Sequence, residues 1–570
     1  MFIKVTQSGQ RRYAQLVESF RNEQGQPRQR TVCTLGRLES GGEVDTLIAA
    51  LQRARGLSPA TPALEGLCFK QARHAGDVWA LSELWRSLGL DGLASAWHRS
   101  KSEVDVLACL RLMVFNRLCD PASKLGVLRW LETVALPAGQ DVRPQHQQLL
   151  RAMDVLDKHS AALSNQLATL MRPLIDQDLS VVFYDLTTVG VTGQTDVPED
   201  VRAYGRAKSG LVERQFMLSL VQTSEGLPIA HEVHPGNTAE AKTLLPMIRG
   251  LLERYSLKRV VLIADRGLLS VSNIEELGKL QAQLKAGGRE VAIDYILAVP
   301  AARYGDFTDD LKQLSLAQVA GQEWCAETTW QGLRLVVAHD PEAAARRTQA
   351  RNTSIAQLLK LAQRCSDKLD AQEEAAHTGR KKGKGRPMSD SGTKARFYNA
   401  VKEAHLAHVI KVDLKAELFS YAIDEEKKRY LELLDGKLLL VTNTACPAAE
   451  VVQRYKSMAD IERGFRVLKS DIEIGPVHHR LPQRIRAHAL VCFLALVLYR
   501  VMRMRLGLAH RSESPSMLLE QLRRIHQQTV QAADGTTLTG LTEITPAQKS
   551  LFAALELALP TPSDLAKPVL

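Results

Sequence analysis

The chain has 570 residues, 45% hydrophobic and 24% charged, and its 74 lysines and arginines against 63 aspartates and glutamates give a formal net charge of +11. A single core rarely grows past about 250–300 residues, so several domains or one elaborated domain are expected. The composition is that of a soluble globular protein, which sets aside a disordered or membrane-embedded chain, and the basic excess suits a polyanion, most often nucleic acid.

The start, MFIKVTQSGQRRY, has no apolar signal-peptide core. Residues 1–37 read as a basic β-hairpin, with RYAQLVESF and RQRTVCTLG joined by a turn at Asn22-Glu23-Gln24-Gly25. This segment carries seven basic residues against Glu18 and Glu23, which suits either DNA phosphates or a solvated edge. A short helix over 43–55 and a linker containing SPATPALEG follow. From about 76 to 175 the apolar period is helical, with helices expected over 77–89, 103–117, 122–133, 145–157 and 159–171. Two of these helices and their short turn, VLACLRLMVFNRLCDPASKLGVLRWLETV, fit a helix-turn-helix and an ordinary bundle equally.

The texture changes at Leu179. SVVFYDLTT is an apolar run that reads as a central strand ending at Asp185. Strands are expected at 214–223 and 227–233, turning at Ser224-Glu225-Gly226, then a helix over 238–254 with an Asn237/Glu240 capping box. RVVLIAD (259–265) reads as a buried strand ending at Asp265, followed by a helix capped by Ser272 with Glu275, and a strand at 291–299. Residues 300–440 are mixed: EWCAETTWQGLRLVVAH reads as a hairpin, 341–376 as a polar helix, RKKGKGR (380–386) as a basic loop, and HVIKVDL, LFSYAI and KLLLVTN as strands. The run ALVCFLALVLY (489–499) is too short for a membrane span and reads as a buried helix. The tail, 511–570, reads as helical and then Pro-rich. The eight cysteines form no CxxC pair and read as reduced core thiols. The pairs His405/His408 and His478/His479 lack partner motifs, so no dedicated histidine metal site is expected.

RYKSMADIERGFRVLK (454–469) reads as one helix. A step of seven returns to nearly the same helix face, so Tyr455, Glu462 and Lys469 form one stripe, flanked by Met458, Phe465 and Arg466. With Asp185 and Asp265 at strand ends, Glu462 completes a set of three carboxylates. Such a set is costly unless a cation sits within it. Oxygen ligands favour Mg²⁺ or Mn²⁺, and two ions about 3.5–4 Å apart suit in-line phosphoryl displacement. Lys469 and Arg466 would then hold phosphates of the same strand. Asp294 is the rival to Asp265, and Glu473 the rival to Glu462.

These residues carry a resemblance. YDLT around Asp185, GNTAEAKTL at 236–244, ADRG around Asp265, and Tyr455, Glu462 and Lys469 followed by RVLKSDIEIGPVHHR resemble the DD-E transposases of bacterial insertion sequences. The relevant branch has a Tyr-x2-Arg-x3-Glu-x6-Lys signature, and Met458 stands here where that signature has Arg. The resemblance runs through nearly the whole chain. It implies an α/β fold with a ribonuclease-H-like core interrupted by a β-rich insertion, an N-terminal basic β-hairpin and a helical DNA-binding region. The expected segments are 1–56 (hairpin plus helix), 57–175 (helical, DNA-binding), 176–300 (first part of the core), 301–440 (insertion), 441–510 (second part, with the Glu helix) and 511–570 (helical tail).

For chemistry, the resemblance implies metal-dependent DNA strand cleavage and strand transfer. Asp185, Asp265 and Glu462 would be catalytic and hold two Mg²⁺ or Mn²⁺ ions, and Tyr455, Lys469 and Arg466 would contact DNA. It implies double-stranded DNA as partner (transposon ends and target), a homodimer in the DNA complex, no membrane, and a cytoplasmic, nucleoid-associated location. In some relatives an aromatic of the insertion stacks a flipped base while a hairpin intermediate forms, a role that would fall here to Trp324 or Trp330, although a core role fits a Trp better. The alternatives are a metal-dependent nuclease without strand transfer and an inactive or domesticated DNA-binding relative. A hydrolase of small phosphate esters fits the charge poorly.

Overall fold

The computed structural model describes residues 1–8, 11–38, 43–55, 67–97, 104–175, 180–193, 197–206, 212–255, 257–264, 271–319, 321–378, 388–532 and 535–566. Its contacts divide into two compact units, one of Met1–Arg73 with His526–Glu543, the other of His74–Ile525 with Ile544–Ala566.

In the first unit, β1 (Phe2–Ser8), β2 (Arg11–Arg21) and β3 (Pro27–Arg37) form an antiparallel sheet. Asn22 Oδ1 accepts from the Gln26 N–H at 2.9 Å, and Gly25 takes φ +75°, which closes the turn between β2 and β3. β1 was not among the expected strands. Helix α1 (Glu43–Ala54) packs on β3. Lys4, Arg11, Arg12, Arg21 and Arg28 are exposed. A second sheet joins β4 (Cys68–His74) to a hairpin of β16 (His526–Gln531) and β17 (Thr537–Leu541). The tail was expected to be helical here. HQQTVQ and TLTGL are polar strands with little apolar alternation, and Gly535 at φ +86° makes their turn.

The second unit opens with α2 (Gly76–Ser87), α3 (Val106–Cys119), α4 (Lys124–Thr133), α5 (His146–Lys158) and α6 (Ser160–Met171), close to the expected bounds. α3 is buried along most of its length against α5 and α15 (Pro482–Leu508), so the first helix of the suggested helix-turn-helix is a core helix. α15 is long and apolar enough by composition to cross a membrane, but 94% of its most apolar stretch is buried inside the protein.

The large sheet has nine strands among the described residues. They are β5 (Ser180–Gly190), β6 (Ala203–Arg206), β7 (Val212–Thr223), β8 (Pro228–Pro235), β9 (Arg259–Ala264), β10 (Ala292–Ala298), β11 (Trp324–Trp330), β12 (Leu333–His339) and β15 (Lys437–Thr442). Their order is β11-β12-β15-β10-β9-β5-β7, with β6 and β8 sharing the far edge of β7. β5, β9 and β10 run parallel, and the other pairs are antiparallel. At the β6/β8 junction a Cβ on Gly236 would lie 2.0 Å from the Gln215 carbonyl oxygen, so only glycine fits. β6 was not expected, being four residues long.

Two expected caps are absent. A 3₁₀ turn at Glu240–Lys242 precedes α7 (Leu244–Arg254), so Asn237 caps no helix. α8 (Val271–Ala286) already includes Ser272. Beyond β10 lie α9 (Thr308–Leu316) and the β11–β12 hairpin, which extends the large sheet. The segment between β12 and β15 leaves the sheet as α10 (Pro341–His377), α11 (Asp390–Glu403), the short strands β13 (Ile410–Val412) and β14 (Tyr421–Ile423), and α12 (Glu425–Leu434). It has its own core around Phe397, Val401 and Val409. The basic loop 380–386 lies outside the described residues. α13 (Ala448–Lys456), α14 (Ala459–Ser470), α15, α16 (Pro515–Arg523) and α17 (Pro546–Ala554) complete the unit. All eight cysteines are free, but Cys33, Cys68 and Cys325 are exposed and only four are buried. Cys325 faces outward because alternate residues of β11 are exposed.

Candidate active site

Asp185 sits mid-strand in β5, not at its end as expected. The antiparallel ladder to β7 continues past it, from Val182↔Thr223 to Gly190↔Gln215. The parallel ladder to β9 stops at Tyr184↔Ala264, so on that side Asp185 lies just past the last described pair. Successive strand residues face opposite ways. Tyr184 therefore points to the other face, where its hydroxyl donates to Thr243 Oγ1 at 2.6 Å and burial pushes its phenol pKa up. Asp185 is half-buried, and its Oδ1 accepts from the Leu186 N–H at 2.7 Å. Asp265, next in the chain after Ala264, lies outside the described residues.

The stretch 454–469 is not one helix. α13 ends at Lys456 and α14 begins at Ala459. The Ser457 hydroxyl donates back to the Arg454 carbonyl at 2.7 Å, a local bond that competes with the helix ladder. The two halves also rest on different strands: α13 on β11 and β12, α14 on β5. Met458, at the break, is 8% exposed and packs inward. Tyr455 thus belongs to α13 and is half-buried, whereas Glu462, Arg466 and Lys469 belong to α14. The three residues of the stripe therefore do not share one continuous helix. Arg466 is exposed, and the Glu462 side chain lies outside what is described.

Gly464 is what lets α14 approach the sheet. A Cβ there would lie 2.3 Å from Nε2 of Gln222, which is fully buried on β7 and is the cross-strand partner of Phe183. Further along α14, Lys469 lines a hollow of about 260 Å³ with Thr188, Val189, Gly190, Ile474 and Gly475. The helix therefore contacts the sheet at the level of Phe183 and again at Thr188–Gly190, and Asp185 lies between these levels. Seven residues of helix span about 10 Å, so Lys469 stands two turns beyond Glu462 on nearly the same face.

The rival carboxylates have other places. Asp294 accepts from Arg259 Nε at 2.7 Å, with Arg259 at the opposite end of β9 from Ala264. Glu473 is exposed in the turn after α14, at φ +52°. Trp330 packs on Phe307 and lies under Arg303 at 4.8 Å, and Trp324 meets His339 and Lys437, so both rings have protein neighbours. A buried cluster that the sequence did not mark joins Asp200 to Arg202 at 2.8 Å and Arg214 at 3.1 Å. Burial alone would raise the Asp200 pKa, but the two guanidinium groups hold it below the usual carboxylate range.

Among the described residues no three His, Cys, Asp or Glu side chains gather closely enough to hold a metal. Of the expected ligands only the Asp185 side chain is described. A half-buried carboxylate on the central strand is the hard oxygen donor that Mg²⁺ or Mn²⁺ takes.

Comparison with known families gives two matches. Residues 3–61 match the N-terminal domain of IS1634 family transposases, and residues 176–498 match the transposase DDE domain. No curated protein matches the chain.

Proposed function

Since the chain belongs to the DDE transposase family, with more than half its length in the DDE domain and an N-terminal domain of the IS1634 type, we propose that it binds the ends of an insertion sequence and catalyses metal-dependent strand cleavage and strand transfer. The family implies a ribonuclease-H-like core in this mixed α/β unit. The observation that carries the proposal is α14 laid along β5, with its contacts on either side of Asp185 and Lys469 at the far end.

Asp185, Asp265 and Glu462 would hold divalent cations, which when bound supply activation of the attacking oxygen and stabilisation of the leaving one. In the first reaction water attacks the phosphodiester at the element's end, the P–O bond to the bridging oxygen breaks, and a 3′-hydroxyl is freed. In the second that hydroxyl attacks a target phosphodiester in the same site, so one P–O bond forms as another breaks. Lys469 and Arg466 would fix the phosphates of the strand in the site, and Tyr455 would support it from α13. The partners are transposon-end and target DNA, engaged by a homodimer in the cytoplasm at the bacterial nucleoid.

The test is Mg²⁺-dependent cleavage of DNA carrying the element's ends, by wild type and Glu462→Gln in parallel. The expected result is end cleavage and joined products from wild type, and a loss of several orders of magnitude in the variant. Cleavage without joined products would indicate a nuclease. End-specific binding without cleavage by wild type would indicate an inactive DNA-binding relative.

A further inference from the structure

A cleft of about 660 Å³ lies between the α3–α4 turn and the segment that follows α14. It shares Ile474 and Gly475 with the hollow that holds Lys469. Its rim is tied to the end of β5: Val477 forms a parallel bridge with Val191, and Thr192 Oγ1 lies 3.0 Å from His478 Nδ1. The cleft is therefore continuous with the strand that carries Asp185.

Its lining is strongly cationic. Lys124 is 5% exposed and makes no hydrogen bond or ion pair among the described residues. Beside it, Arg117 is 6% exposed; it donates to the carbonyls of Glu473 at 3.1 Å and Ala122, while its Nε is buried without a partner among the described residues. His488, 5% exposed, lies with Nε2 2.9 Å from the Ile474 carbonyl, and its Nδ1 is buried without a partner among the described residues. Arg480 and His478 are exposed at the mouth. Arg484 lines the cleft but is engaged by Asp154 at 2.8 Å. Glu473, at the rim, is the one carboxylate in the lining among the described residues. The N-terminal turn of α4, capped by Ser123, also opens here, adding the positive end of a helix.

A buried ammonium beside a buried guanidinium is costly unless an anion joins them. The cost is visible in the groups themselves. Burial, and secondarily Arg117, pushes Lys124 down to about 7, and burial, with Lys124 and other cations, pushes His479 down to about 4. Two cations at the base and a helix N-terminus are the donors that an anion such as phosphate takes.

We propose that this cleft is a phosphate-binding site, with Lys124 and Arg117 at its base and Arg480 at its mouth, that holds a backbone phosphate of the DNA strand running past the end of β5. Naming DNA as the source of the phosphate rests on the transposase reading; the anion site itself does not. Lys124 and Arg117 belong to the sequence run that fits a helix-turn-helix and an ordinary bundle equally. Here they would act from the end of α3 and the start of α4, on either side of the turn, in a pocket contiguous with the cleavage site.

The experiment uses the full chain without Mg²⁺. Melting is measured in inorganic phosphate and in chloride at equal ionic strength, and binding to a duplex of generic sequence is followed against salt, for wild type, Lys124→Met and Arg480→Gln. Arg480 is exposed, so its variant reports even if Lys124→Met fails to fold. The expected result is a phosphate-specific rise in wild-type melting temperature that the variants lose. The slope of log K against log salt should also fall by about one in each variant, the share of one phosphate contact. An unchanged phosphate response would overturn the site. A lost phosphate response with an unchanged slope would overturn the assignment to DNA, leaving a free-anion pocket. Neither readout depends on cleavage, so failure of the transposase reading would register separately.

Discussion

Gly464→Ala tests whether the seating of α14 on the sheet sets the site. The new methyl would lie 2.3 Å from Gln222 Nε2 and 3.2 Å from its Cδ, against an ordinary contact of about 3.4 Å or more. Gln222 is fully buried, so its amide has no solvent to swing into. The helix must therefore lift by about 1 Å. Alanine gains roughly 0.8–1.0 kcal/mol of helix propensity over glycine, and overpacking costs about 1–3 kcal/mol, so the net loss of stability should be at most about 2 kcal/mol. Catalysis is more exacting, since a displacement of about 1 Å can cost about 10²-fold. Urea denaturation and end-cleavage rates should thus separate: near-normal folding, with cleavage down by about two orders of magnitude. Adding Gln222→Ala should restore most of the rate, because it removes the clashing amide. It also removes two buried polar atoms that lack partners among the described residues. Wild-type cleavage by Gly464→Ala, or no recovery in the double variant, would refute the reasoning.

Three other outcomes are expected. Asp294→Asn should cost about 1 kcal/mol, the worth of its ion pair with Arg259, and leave cleavage unchanged; a loss like that of Glu462→Gln would restore Asp294 as a catalytic candidate. Met458→Arg, which recreates the family signature, should lower stability by roughly 3 kcal/mol in denaturant titrations, because desolvating an ion costs several kcal/mol and position 458 is 8% exposed. For Lys124, whose pKa falls from 10.5 to about 7 on folding, the unfolded chain binds the extra proton between those values. Its destabilisation is therefore complete below about pH 7 and disappears as pH rises toward 10.5. Without phosphate, Lys124→Met should be the more stable protein near pH 7, by at most roughly 5 kcal/mol, and the gap should close near pH 10. Parallel pH profiles would contradict this.

The elements legible in the sequence were those whose signal is local. α2 to α6 follow their apolar period, and β5, β9 and β10 follow their largely apolar runs, VVFY, VVLIA and YILA. Illegible were features set by distant partners. The 454–469 pattern has no breaker at Ser457, and the helix divides because α13 and α14 rest on different strands. Asn237 and Glu240 have capping-box spacing, but the helix starts at Leu244, after a 3₁₀ turn. β16 and β17 are too polar to announce themselves. At the site, Asp185 stood out by its apolar flanks, whereas Gln222 beneath Gly464 and the Lys124 cleft arise from pairings of segments far apart in the chain, for which spacing gives no cue.

The sheet order also dictates a timetable. β10 gains its second neighbour only when β15 appears, about 140 residues later. At about 5–20 residues per second, a ribosome takes roughly 7–28 s to make that stretch. Throughout, β10 is an open strand edge, the template for unwanted pairing. α14 emerges later still. A nascent chain is thus unable to assemble the cutting face until most of its length has been made, and its yield in cells should depend on how well that edge is shielded while it waits.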